Sequence, residues 1–154
     1  SITVGDERSF SQDPRFGLMV LAEIASRALS PAVNDHGTAI DILNRSIRIL
    51  IHWKDYKIDE IEDKLLYPNV WIPELNLGDL FDDIFLPIGR DGAGMIEVQL
   101  RLQIVLAALA DNSPAVFGSE VSRHLKLIQQ RAEHALVLDG EKQLLQPIYN
   151  RLTK

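Results

Sequence analysis

Four histidines (His36, His52, His124 and His134) and a crowded polar stretch from Arg27 to Asp35 are the groups best suited to chemistry in this 154-residue chain. A zinc site on one helix needs paired ligands such as His-x-x-x-His, and no two histidines stand at that spacing. Glu120 and His124 are four apart on one helix face, an arrangement common by chance. Asp82 and Asp83 are neighbours, so their side chains diverge and cannot serve together as acid and base. There is no Gly-x-Ser-x-Gly elbow. The absence of cysteine removes thiol nucleophiles, thiolate metal sites and disulfides, and is compatible with a reducing compartment. Asp59, Glu60, Glu62 and Asp63 lack the glycine and spacing of a calcium loop, so residues 54–64 read as a solvated turn or short exposed helix. No catalytic residue, metal ligand or cofactor is therefore expected, and the chain reads as non-enzymatic.

Residues 10–39 organise the rest. Asp13 before Pro14 reads as an N-cap and first helical position, because proline's missing N–H is unneeded there. From residue 15 to 29 nearly every side chain is apolar or small. The exceptions, Glu23, Ser26 and Arg27 with Ser30 beyond them, fall on one narrow helical stripe. A helix so widely covered belongs in the middle of a bundle. The plain reading of the stripe is an exposed edge with a weak Glu23–Arg27 ion pair. The sharper reading is a polar cleft into which Arg27 presents its charge. Ser30-Pro31 then ends the helix. Asn34 and Asp35 are placed to cap the next one, and Thr38 with Asp41 resembles a weaker capping box. Arg8, Asp13, Arg27, Ser30, Asn34 and Asp35 are the candidate ligand-binding residues. A structural polar knot between the two helices is the competing reading.

Gly89-Arg90-Asp91-Gly92-Ala93-Gly94 could cradle phosphate through its N–H groups. No strand feeds it and no Gly-Lys-Ser/Thr follows, so it reads as an interhelical turn. With 22 acidic and 16 basic residues the net charge is −6, which argues against nucleic acid or anionic lipid as the main partner. No apolar run approaches the roughly 20 residues of a membrane span.

Hydrophobic spacing sets the remaining elements. A second helix is expected over residues 38–53, with Ile40, Leu43, Ile47 and Leu50 inward and Asp41, Arg45, Arg48 and His52 outward. Residues 65–75 read as an extended piece, pairing with a short strand at residues 2–4. Helices follow over 79–88, over 95–111 with an all-round apolar second half, over 114–138 with a break at Gly118, and over 141–152 after an Asp139-Gly140 turn. The fold class is mainly α: a compact bundle of about five to six helices with at most a minor short β piece, forming one domain over 1–154.

Glu7, Arg8, Gln12, Asp13, Pro14, Phe16, Gly17, the run from Arg27 to Asp35 (RALSPAVND), Thr38 and Ala39 carry a family resemblance. They resemble a bacterial family of predicted membrane proteins, domain of unknown function 2254, whose pattern reads roughly ERTFxQDPxFGxxxLxxIAxRALSPxxNDPxTA. The chain departs from it at His36, where the family has proline, which leaves open whether the second helix starts in the family's way. The resemblance implies a soluble domain at the C-terminal, extramembrane end of a longer bacterial inner-membrane protein, on the cytoplasmic side. The abrupt start at Ser1 agrees with a domain taken from something longer. The leading expectation is a non-catalytic module for assembly or signal transmission, whose partners are a second copy and its own transmembrane segments. The alternative is a small-ligand or anion-binding module, with or without hydrolysis, at the break between Arg27 and Asp35.

Overall fold

The computed structural model describes residues 13–59 and 75–153, which form six helices: α1 (Pro14–Ala28), α2 (His36–Asp59), α3 (Leu77–Asp91), α4 (Ile96–Asn112), α5 (Pro114–Ala135) and α6 (Asp139–Leu152). The mainly α bundle expected from the spacing is what forms. The expected β pieces at 2–4 and 65–75 lie outside the described residues, apart from Leu75. Among the described residues no helix is long and apolar enough to cross a membrane.

Local signals start most of these helices. The Asp13 carboxylate accepts from Phe16 N at 2.9 Å, and Pro14 follows it as expected. Asp35 caps α2 by accepting from Thr38 N (3.0 Å) and from the Thr38 hydroxyl. Asp35 is thus the cap, as expected of it, and the Thr38 side chain bonds back to Asp35 instead of pairing with Asp41 in the weaker box. His36 occupies the first helical position, where the family pattern has proline, a residue suited to that position. Asn76 opens α3, accepting from Gly78 N at 2.7 Å.

Several boundaries differ from expectation. The second helix begins at His36 and runs on to Asp59, absorbing the first part of the charged stretch read as a solvated turn or short exposed helix. Helix α3 continues through Pro87 to Asp91, so Gly89, Arg90 and Asp91 are helical rather than loop. Gly89 is buried and close-packed: a Cβ there would lie 3.1 Å from Ile128 Cγ1. Helix α5 passes Gly118 without a break and stops at Ala135, while Asp139 and Gly140 are already in α6.

The core lies where α4 packs chiefly against α2, α5 and α6, with α3 closing against α5 and α1 laid over α2 and α3. Phe81, Phe85 and Phe117 are fully buried, with Phe81 and Phe85 edge to face at 5.1 Å. Every inward residue expected on α5 (Val121, Leu125, Ile128, Ala132 and Leu136) is buried. Two expectations of depth fail. Ile24 on α1 is 44% exposed, so α1 flanks the bundle and α4 takes the middle. Ile104 is also 44% exposed, because the second half of α4 turns one face outward.

Candidate functional site

The six candidate residues do not converge. Arg8 lies outside the described residues. Asp13 and Arg27 sit at opposite ends of α1, about 20 Å apart at 1.5 Å per residue. Ser30, Asn34 and Asp35 gather at the break and spend their polar groups on the turn. The Ser30 hydroxyl donates to Arg27 O (2.7 Å), Asn34 N to Ser30 O (2.9 Å) and Asp35 N to Ala28 O (2.8 Å). Asn34 takes a left-handed φ of 51°, which asparagine tolerates better than most residues, and its Oδ1 meets His36 Nε2 at 3.2 Å. The Thr38 hydroxyl and N–H hold the Asp35 carboxyl below its ordinary pKa. The bonds of these three residues serve the turn between α1 and α2 and the start of α2.

Arg27 behaves differently. Its side chain makes no hydrogen bond or ion pair within the described residues, and it does not close on Glu23. With Glu23 and Ser26 it lines a cleft of about 730 Å³ between α1 and α3, so the stripe on α1 does face a polar cleft. Across from it stand Asp82, Asp83 and Arg90 of α3 and Arg131 of α5, while Met19, Ala22, Leu86 and Pro87 supply apolar wall.

Each charged group there is positioned by packing. Arg131 Nη1 donates to Leu86 O at 2.8 Å. Arg90 donates twice to Asp91, at 2.6 and 3.0 Å. That pairing holds the Asp91 carboxyl below its ordinary pKa against the opposing effect of burial, with smaller help from Ser26 and Arg131. Ser26 is near enough to act on Asp91, yet its buried Oγ makes no hydrogen bond of acceptable geometry.

The acids of α3 are already engaged. Asp83 and Asp79 bind Arg15, whose pKa rises chiefly through its bond to Asp83. Asp82 binds Arg123 at 2.7 Å, and Arg123 also binds Glu120. The two adjacent aspartates therefore diverge, as their adjacency implies. Asp82 also meets Nε2 of His124 at 3.0 Å, while Nδ1 lies 2.9 Å from Glu120 O. His124 has a fully buried side chain packed on Phe81 and Phe85. Burial pushes its pKa down and Arg123 adds to that, outweighing the upward pull of the Glu120 carbonyl and Asp82. Its place between Val121 and Ile128 on the inward seam of α5 was the signal that would have found it. Arg90 and Arg131 gave no such signal, since the glycines around Arg90 read as a loop and Arg131 belongs to no motif. Among the described residues no group of three or more histidine, aspartate or glutamate side chains is placed to hold a metal ion.

Comparison with known proteins agrees with the family resemblance. A family model described as "Predicted membrane protein (DUF2254)" matches residues 1–108, well beyond the thirty or so residues that carry the motif. Uncharacterized proteins of Mycobacterium bovis and of two Mycobacterium tuberculosis strains are each 51% identical over 113 residues. The matched stretch covers 72% of this chain and 22% of each relative, so the chain spans about a fifth of their length. No solved structure matches. On the family match and the motif from Arg27 to Asp35, the chain belongs to the DUF2254 family of predicted membrane proteins.

Proposed function

We propose that this chain is an extramembrane helical module of a membrane protein, acting without catalysis in subunit assembly and in passing a signal to the membrane segments. One observation carries the reading. Between α1 and α2 lies an open apolar depression of about 590 Å³, walled by Leu21 and Ile49 and rimmed by Arg45, Arg48 and His52. Ile24, one turn on from Leu21, stands exposed on the same face of α1. Scattered exposed apolar residues are ordinary, but a contiguous apolar face with a polar rim is characteristic of an interface. This face lies inside the family-matched region. A second copy of the chain is its occupant.

Light scattering over a concentration series tests this directly. A dimer or larger assembly is expected, and Ile24→Asp with Ile49→Asp should return it to monomer with the helical content unchanged. A monomer at every concentration overturns self-assembly through this face. The same proposal puts the domain on the cytoplasmic side of a bacterial inner membrane. Digestion of the domain by protease added outside intact spheroplasts would refute that placement.

A second reading, a small-ligand module, is favoured by one feature. Arg27 lines the α1–α3 cleft without a partner of its own among the described residues.

A further inference from the structure

We propose that the cleft between α1 and α3 binds an organic phosphate, with Arg27 and Arg131 clamping the phosphate and Met19, Leu86 and Pro87 covering the organic part. This rests on the ligand-binding reading and names its ligand class. Two acids of the lining, Asp82 and Asp83, are taken up by arginines outside it, Arg123 and Arg15. Arg90 is matched by Asp91. What the cleft has left is cationic: all of Arg27, and the donors of Arg131 not used on Leu86 O, against the exposed Glu23 alone.

Arginine's planar fork of N–H donors fits the oxygens of a phosphate two at a time. Two such forks from different helices, α1 and α5, suit a group with several equivalent oxygens better than a single carboxylate edge. Ser26 adds a buried hydroxyl with no well-formed bond of its own beside them. Arg131 is held in place by the Leu86 carbonyl, which accepts from its Nη1. Arg90 and Arg131 also line a smaller hollow of about 310 Å³. The volume of the cleft exceeds what inorganic phosphate fills, and its walls of Met19, Leu86 and Pro87 would contact a carbon skeleton. A free phosphorylated metabolite and the headgroup of a phosphate-bearing lipid share this chemistry.

Titration calorimetry of the 154-residue chain with phenyl phosphate, inorganic phosphate and benzoate tests the inference. Saturable binding of phenyl phosphate is expected, several-fold tighter than inorganic phosphate. Arg27→Gln should weaken it at least tenfold. Arg27 is exposed and makes no bond within the described fold, so that variant folds, and Lys126→Gln, at an exposed position of α5 that lines none of the described hollows, is the control. Flotation with phosphatidylcholine vesicles, with and without phosphatidic acid, separates the two sources. Capture that needs phosphatidic acid and Arg27 points to a lipid headgroup, and binding of phenyl phosphate without capture points to a soluble ligand. Benzoate binding that needs Arg27, without phenyl phosphate binding, overturns the phosphate class while leaving a ligand site. Absence of all binding, or binding indifferent to both Arg27→Gln and Arg131→Gln, overturns the inference and the ligand reading together.

Discussion

Gly92→Ala is the sharpest test of how the α3–α4 turn holds the cleft. A Cβ at position 92 would lie 2.6 Å from Val98 Cγ1 and 3.1 Å from both Val98 Cβ and Ile88 O. The φ of −95° is open to any residue, so the cost is one of space and not of backbone conformation. Val98 is fully buried, and Ile88 O is a helix carbonyl already accepting from Gly92 N at 2.9 Å, so neither neighbour can give way freely. Overpacking of this kind costs about 1–3 kcal/mol. The Gly92 carbonyl also accepts from the buried Gln99 amide at 2.8 Å, and displacing it would add about 1 kcal/mol or more for an unsatisfied buried donor. For a chain of this length the sum should lower the melting temperature by roughly 5–12 °C. Gly118→Ala is the internal control. Nothing lies within 4 Å of a Cβ there, inside α5, so alanine's helix preference should raise the melting temperature by about 3 °C. Calorimetric melts of the two variants read both signs. A Gly92→Ala protein as stable as the parent would refute the packing described at this turn.

Two further outcomes follow from the core beneath the cleft. Burial holds the His124 pKa below its ordinary 6.5, so the native imidazole stays neutral while the unfolded one takes up a proton. Its contribution to stability is complete above pH 6.5 and is lost as pH falls from there through the lower folded pKa. Denaturant melts between pH 7.5 and 5 should show that decline, less steep in His124→Gln, and a parent protein that gains stability on acidification contradicts it. Phe81 is fully buried against Phe85, Phe117 and His124, so Phe81→Ala should cost about 3–5 kcal/mol, or 10 °C or so of melting temperature. A loss under about 1 kcal/mol would show that the site collapses onto the smaller side chain.

What the chain disclosed of itself divides along a physical line. Signals that act within a few residues were readable: Asp13 before Pro14 caps α1, and the three-four spacing from Val121 to Leu136 is buried at every position. Glycine misled where its role is tertiary. Gly89 is small because Ile128 presses against it, Gly92 because Val98 does, and both pull a helix end that looks like a loop into the packed fold. Gly118, with nothing near it, is merely tolerated, and α5 runs through it. Arg27 was legible as an oddity on an apolar helix, yet not its company. Arg90 and Arg131 come from other helices, and only the packing of α3 on α1 and α5 brings them to one cleft. Asp82 and Asp83 show the same limit from the other side. Their divergence follows from adjacency, but the direction of each is set by Arg15 and Arg123, which approach from α1 and α5. The cleft's balance follows from that division: the bundle's own ion pairs engage Asp82 and Asp83 and leave Arg27 uncommitted among the described residues, opposed by Glu23.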